Sequence, residues 1–375
     1  MYADSLNYWS QLFSLIKYSL WKVEDNKDLS DIDWREILDI AKKQTVLGLL
    51  LEGLDFLCRS GVSLRIPLDV KMGLIGQVHA IEKQNTFINI KIAELMLEYA
   101  KIGLEPILVK GQSVGSRYPH PNHRQPGDVD LFFINKEQLL KANGWTREYG
   151  RNLDGFYQKH LSFQWKGIVI ENHNQLSPFS KKSYRVYFNK IVQQEIDDSK
   201  ILLVRRIGNC TVRELPTTLY AFFLLVHMSY HILEDGLGLR QVCDWILFLK
   251  EHHSQIDKSK FAIWMEHLGL TRLANAFGGI CVEYLDLPES YIPFSLQRSS
   301  TYEKLLLEEI MFGGNFGHNY YQYKGKVSKF EDMWHTLWIK VRRYARIYCL
   351  WPQEAIANYG MLMKRGLKRI FGACV

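Results

Sequence analysis

Two acids separated by one residue, Asp128 and Asp130, stand at the entrance of an apolar run, Val129-Asp130-Leu131-Phe132-Phe133-Ile134. A run this short, rich in β-branched and aromatic residues, reads as a buried strand. Side chains alternate faces along a strand, so the two carboxylates share one face with Cα atoms roughly 6.5–7 Å apart. Such a pair repels itself unless a cation lies between, and carboxylate oxygens are the ligands Mg²⁺ and Mn²⁺ prefer. A third acid, Glu171, follows the apolar triplet Ile168-Val169-Ile170. If that strand pairs beside the Asp130 strand, three carboxylates converge, enough to hold two divalent ions about 3.5–4 Å apart.

Positive charge lies close by in the chain. The run Ile107-Leu108-Val109 ends at Lys110-Gly111, and Arg117 and Arg124 follow. Gly111 lets backbone N–H groups approach phosphate oxygens, and Gln112 and Ser113 open a following helix whose N-terminus favours an anion. Nucleotidyl transfer needs positioning and charge neutralisation more than covalent chemistry, and these residues supply both. Arg124 has a rival role as the ion-pair partner of one of the two Asp residues. His173 follows Glu171 closely enough to join the site or to satisfy a backbone group. His227, His231 and Asp235 recur at helical spacing and read either as a metal-capable face or as core histidines. Arg240 and Asp244 read as an ion pair on a helix surface.

The stretch Leu108–Phe133 resembles a bacterial family known as the uncharacterised nucleotidyltransferases. It carries Lys110-Gly111, Tyr118-Pro119, Arg124 and Gly127-Asp128-Val129-Asp130-Leu131 in that family's order. Glu171-Asn172-His173 matches the family's acid-x-His, and His227, Arg240 and Asp244 are similar to its helical region, as is Gly313-Gly314-Asn315-Phe316-Gly317. More widely, the pattern resembles the nucleotidyltransferase fold shared with DNA polymerase β. The chain departs from that superfamily's usual Gly-Ser or Gly-Gly, having Gly111-Gln112 with Ser113 one place late. The resemblance implies a metal-dependent transfer of a nucleoside monophosphate from an NTP such as ATP, with Mg²⁺ or Mn²⁺ as cofactor and pyrophosphate released. It implies that Asp128, Asp130 and Glu171 are catalytic metal ligands, and that Lys110, Gly111, Gln112, Ser113, Arg124 and His173 bind phosphate or substrate. It names no acceptor. The alternative is a catalytically inactive member of the fold that binds a nucleotide or a partner.

These residues must be positioned by the elements around them. Trp34, Ile37, Leu38 and Ala41 recur as one buried helical face, with Asp31 as the expected N-cap. A long helix is expected over 72–102, with Ile81, Asn85, Ile88, Ile92, Leu95 and Tyr99 along one side. Past the acids, the pattern predicts a short helix from Lys136 that ends at Gly144, then a strand over 145–149. His160–Trp165 and Ile168–His173, joined by Lys166-Gly167, predict a hairpin. Residues 186–204 read as an irregular connection with a strand at its end. From Pro216 onward the pattern is helical. The expected fold is α+β: a small mixed sheet within 104–210, an N-terminal helical segment over 1–103 and a C-terminal helical domain over 211–375.

The chain of 375 residues has a formal net charge of +7 and pI ≈ 8.9, a mild basic bias that fits an anionic ligand. No compact Lys/Arg block with interleaved aromatics appears outside the C-terminus, so nucleic acid is not the expected partner. The 6 cysteines are scattered without a CxxC pair, which argues against a structural zinc site or a disulfide scaffold. No signal peptide and no apolar run of spanning length are evident, so a cytoplasmic location is expected. The basic amphipathic tail Met361–Phe371 reads as a docked final helix, or as a weak contact for anionic lipid or an acidic partner.

Overall fold

The computed structural model describes residues 2–23, 32–155, 160–199, 202–234, 236–314 and 329–371. The chain opens with α1 (Tyr2–Trp21), α2 (Trp34–Lys43), α3 (Leu47–Arg59) and α4 (Leu68–Lys101). The α+β core follows as β1 (Ile107–Val109), α5 (Gly111–Gly115), β2 (Val129–Phe132), α6 (Lys136–Tyr149), β3 (Arg151–Asp154), β4 (His160–Trp165), β5 (Ile168–His173), α7 (Lys182–Asp198), β6 (Val204–Ile207) and β7 (Cys210–Arg213). Helices α8 (Thr217–Leu233), α9 (Leu239–His252), α10 (Lys258–His267), α11 (Thr271–Leu285), α12 (Ser300–Gly313), α13 (Lys329–Ile347) and α14 (Pro352–Phe371) complete it. Among the described residues, no helix is long and apolar enough to cross a membrane.

The seven strands form one mixed sheet in the order β3-β4-β5-β2-β1-β7-β6. The central strands β1 and β2 are antiparallel, and β5 lies parallel to β2 on its far side. Alternation then divides the side chains between two apolar cores. Leu108, Val129 and Leu131 face one core with Phe163 and Ile170, covered by Ile88, Ile92, Leu95 and Tyr99 of α4. Ile107, Val109 and Phe132 face the other, larger core, which also holds α8 and α9. The second core runs without interruption through buried residues of the N-terminal, central and C-terminal segments, from Trp9 to Ala355. Helix α4 has 34 residues, about 50 Å of length, and its two halves serve the two cores in turn.

Several local expectations gave way to packing. The helix from Lys136 does not end at Gly144 but runs to Tyr149. Trp145, expected in a strand, packs edge-on to Tyr99 with ring centroids 5.1 Å apart, and that burial outweighs the modest helix penalty of one glycine. The segment expected to be irregular is mostly helix α7, whose buried Tyr184, Phe188, Ile191, Val192 and Ile196 keep helical spacing; the strand at its end is β6. The cap of α2 is Asp33, whose Oδ1 accepts from the N–H groups of Arg35 and Glu36. Asp31, Asp235 and Asn315-Phe316-Gly317 lie outside the described residues, as do the tail's side chains beyond Lys364. The five described cysteines are free.

Below the sheet, Arg117 and Glu214 form a buried bidentate pair. Arg117 Nη1 donates to Glu214 Oε1 at 2.9 Å and Nη2 to Oε2 at 2.8 Å, and Arg117 Cζ lies 4.8 Å from the Phe248 ring centroid and 5.8 Å from that of Tyr220. Burial alone would raise the Glu214 pKa, but Arg117 holds it below the usual carboxylate value. A carboxylate depressed in the fold stabilises it above the unfolded-state pKa of about 4.3 and loses that contribution as pH falls through the folded value. Glu214→Gln should therefore cost about 2 kcal/mol at pH 7, and its deficit against the wild type should shrink below about pH 4. Urea denaturation from pH 7 to pH 3 measures this; a pH-independent deficit would show that the ion pair is not its source.

Candidate active site

The hairpin β4–β5 places Glu171 beside the paired acids. Strand β5 pairs in parallel with β2, and the Cα partner of Asp130 is Glu171. On the other side the partner of Asp130 is Val109, so Lys110 leaves β1 directly next to it. Asp130 shares a face with Phe132 and thus points toward the side of α8, α9 and the N-terminal half of α4, away from the α4 residues Ile88–Tyr99. Asp128, Asp130 and Glu171 line one cavity of about 870 Å³. Its other walls include Lys42, Gln77 and Gln84 of the N-terminal helices, His227 and His231 of α8, and Arg240 and Asp244 of α9.

Asp130 is the most constrained of the acids. Lys110 Nζ donates to its Oδ1 at 3.0 Å, and His173 Nε2 lies 3.1 Å from the same oxygen. Burial would raise this carboxyl, but Lys110 and His173 bring it down to about 2. His173 Nε2 also lies 3.2 Å from Glu171 Oε2, and His160 Nε2 lies 3.5 Å from Glu171 Oε1. Burial opposes the charge on Glu171 and Asp130 repels it, yet the hydrogen bond from His173 leaves its pKa below the usual value. Asp128 has less relief. Burial raises its pKa, Glu171 and Asp130 raise it further, and Lys110 and Arg240 offset this only in part.

The donor set fits a hard divalent cation. It consists of clustered carboxylate oxygens, and the repulsion felt by Asp128 is what an intervening cation removes. The cluster His160, Glu171 and His173 offers a further set of ligand atoms, all within 4.8 Å of one another.

Lys110 pays for its position with its backbone. It sits at φ 61°, ψ −154°, a region that is nearly exclusive to glycine, and Gly111 follows at φ 50°. The strained turn is held by Tyr220, whose hydroxyl accepts from the Lys110 N–H at 3.0 Å, and by His227, whose Nε2 lies 3.1 Å from Lys110 Nζ. Both Lys110→Ala and Lys110→Gly remove the amine, but only glycine releases the strain. The glycine variant should be the more stable by about 1 kcal/mol, against the usual order of the two residues. Paired urea titrations decide the order, and an alanine variant of equal or greater stability would refute the strain.

Other expected residues are placed differently. Gly111 and Arg124 line the cavity, whereas Gln112 and Ser113 do not. Gln112 Nε2 donates to Asn85 Oδ1 at 2.7 Å, and Ser113 Oγ is hydrogen-bonded to Glu214 and to the Tyr220 hydroxyl. Arg124 does form an ion pair, but with Asp244: its Nε and Nη2 donate to Asp244 Oδ1 and Oδ2, each at 2.8 Å. Arg240 and Asp244 are therefore no surface pair; they are 8% and 5% exposed. Arg240 Nη1 donates to the Gln125 carbonyl at 2.9 Å, while its buried Nε has no hydrogen-bond partner among the described residues. Burial and the nearby Arg124 lower the Arg240 pKa to about 10. His227 and His231 lie with their Nε2 atoms 3.2 Å apart, and burial together with Lys110 drives the His227 pKa well down and that of His231 to about 3.

His160 was not singled out in the sequence. The signal was present in the hairpin: with antiparallel pairing of His160 to His173, strand alternation puts it on the Glu171 face. Tyr220 carried no comparable signal, because it sits within an almost wholly apolar helix.

The family model of the uncharacterised nucleotidyltransferases matches residues 30–286, from α2 through the site to the end of α11. The chain belongs to this family. No curated protein and no solved structure matches it. As an uncharacterised nucleotidyltransferase, the chain carries its acids, its Lys110 turn and both helical walls of the cavity within the matched span.

Proposed function

We propose that this uncharacterised nucleotidyltransferase transfers a nucleoside monophosphate from an NTP to an acceptor hydroxyl, with a divalent metal bound by Asp128, Asp130 and Glu171. The observation that carries the reading is the register of Asp130 against Glu171 on adjacent strands, facing a cavity with Asp128. A divalent cation held there would neutralise the triphosphate and acidify the attacking hydroxyl. Lys110 and Arg240 approach the same cavity with positive charge, and the unpartnered Nε of Arg240 offers a phosphate oxygen a donor that the fold leaves unused. Buried on a rigid helix, it costs little reorganisation as charge moves to the leaving pyrophosphate. The acceptor oxygen forms a bond to the α-phosphorus, the bond from the α-phosphorus to the bridging oxygen breaks so that pyrophosphate leaves, and the hydroxyl proton passes to water. His173 holds Asp130 and Glu171 in place through its Nε2. His160 braces the outer oxygen of Glu171.

One observation favours a second reading, a nucleotide-binding member without turnover. Asp130 Oδ1 is already satisfied by Lys110 and His173. Calorimetric titration with ATP and the other NTPs, with and without Mg²⁺, separates the two. Catalysis requires that Mg²⁺ strengthen nucleotide binding and support pyrophosphate release. Binding indifferent to Mg²⁺ and retained in Asp130→Asn would leave the second reading standing alone.

A further inference from the structure

Away from the acidic cavity, three elements converge on a second cluster of ligating side chains. Helix α4 presents His79 and Glu82, three residues apart and so on one face. The turn of Pro121–His123 carries His123, with His120 just before it. Helix α3 contributes Glu52. None of these residues lines the acidic cavity.

The geometry around His123 is specific. Its Nδ1 lies 3.0 Å from Glu52 Oε1, and its Nε2 lies 2.9 Å from Glu82 Oε1. The ring of His120 stacks on that of His123 with centroids 4.0 Å apart, and its Nε2 stands 4.0 Å from the same Glu82 oxygen. One ligand atom from each of Glu82, His120 and His123 falls within 4.8 Å of the others. His79 Nδ1, 3.2 Å from Glu82 Oε2, steadies the second oxygen of that carboxylate. Glu52 is buried, and its Oε1 also accepts the His120 backbone N–H at 3.1 Å, so it is fixed before any ligand arrives.

We propose that Glu82, His120 and His123 form a binding site for a divalent transition-metal ion of the zinc class. Tetrahedral zinc with bonds of about 2.0–2.1 Å places its ligand atoms roughly 3.3 Å apart, a spacing that a modest rotation of the half-exposed His120 reaches. Two imidazole nitrogens and one carboxylate oxygen suit zinc and cobalt, whereas magnesium and calcium take oxygen ligands. Glu52 fills the role that a carboxylate plays behind a metal-bound histidine: it accepts the Nδ1 proton and presents the Nε2 lone pair. The exposed edge at His120 and Glu82 gives the ion an entry path and leaves a fourth position for water. The bound ion would staple α4 to the turn that leads directly into Arg124, and through Arg124 to Asp244. The rival is a metal-free clamp in which a charged His123 bridges the two glutamates.

Metal binding by the whole chain separates them, and its outcome does not depend on nucleotidyl transfer. Because His160, Glu171 and His173 also lie within ligand spacing of one another, and Asp128 and Asp130 also offer carboxylates, the measurement uses the Glu171→Gln chain in excess Mg²⁺, which occupies oxygen-only sites. Titration with Co²⁺, read by its visible absorption and by equilibrium dialysis, should give one ion per chain, displaced by Zn²⁺. Adding His120→Ala, at a half-exposed position, should weaken binding by at least roughly 10–100-fold. Glu82→Gln should do the same. Zn²⁺ should raise the melting temperature of Glu171→Gln but not of the His120→Ala chain. Absence of Co²⁺ binding in Glu171→Gln, or binding as tight in both added variants, would overturn the site and leave the clamp.

Discussion

Asp130→Asn is expected to reduce Mg²⁺-dependent pyrophosphate release by at least about 10²–10³-fold, with the chain still folded. The side chain keeps its shape and its capacity to accept from Lys110 and His173, so the hydrogen bonds survive while the charge does not. Loss of one preorganised electrostatic contributor typically costs about 3–4 kcal/mol of transition-state stabilisation, here through weaker hold on the divalent cation, and each 1.4 kcal/mol is about tenfold in rate. Asp130 should show the full effect because its ionised form is so strongly held, with its pKa brought down to about 2 by Lys110 and His173 against burial. It is therefore a carboxylate at any working pH. The measurement is a coupled pyrophosphate assay on wild type and variant across the NTPs, with the melting temperature as the control for folding. A variant that retains a tenth or more of the wild-type rate would remove Asp130 from the chemistry.

Asp244→Ala is expected to destabilise the fold by about 3–5 kcal/mol, the cost of leaving a buried charge without its partner. Three groups depend on this carboxylate. Arg124 is engaged through two nitrogens and the Tyr118 hydroxyl donates at 2.8 Å. The third is Arg240, whose positive charge lies close enough to that of Arg124 to lower its own pKa. Removing Asp244 leaves two buried guanidinium groups facing each other with less compensation. Since domains of this kind are stable by only about 5–15 kcal/mol, a loss of this size should be plain in urea denaturation. Arg124→Leu added to Asp244→Leu should recover much of it, because an apolar pair replaces an unpaired charge. A single variant that loses less than about 1 kcal/mol would mean that water reaches Arg124 and that the pair is not structurally important.

The two variants probe different links in the chain. Asp130 is held by strand register and affects chemistry. Asp244 is held by a buried helix and affects whether the cavity wall exists. The turn between β1 and α5 joins them, since Lys110 leaves the sheet there in a strained conformation and Arg124 follows across the same cavity.

The composition of short segments was enough to locate the acids, the hairpin over residues 160–173 and the helical character from residue 217 onward. These features depend on side-chain periodicity, which is a property of neighbours in sequence. Asp128, Asp130 and Lys110 were legible for the same reason: a charge at the end of an apolar strand is conspicuous without any knowledge of what surrounds it. Glu171 was legible as a third acid after an apolar triplet, but its pairing with Asp130 was only a condition. Only pairing of β5 against β2 in parallel brings Glu171 alongside, and parallel pairing depends on a contact some forty positions apart along the chain. Ser113 and Gln112 turned away from the cavity because α5 is a single short helix whose sides face Glu214 and Asn85. Arg240 and Asp244 followed the spacing of a surface pair, yet α9 is enclosed on nearly every side, so each was drawn to a different partner. Local pattern thus determined which residues carry charge at the strand ends. Tertiary packing decided which charges meet, because burial makes each one seek the nearest opposite group in space whatever its distance along the chain.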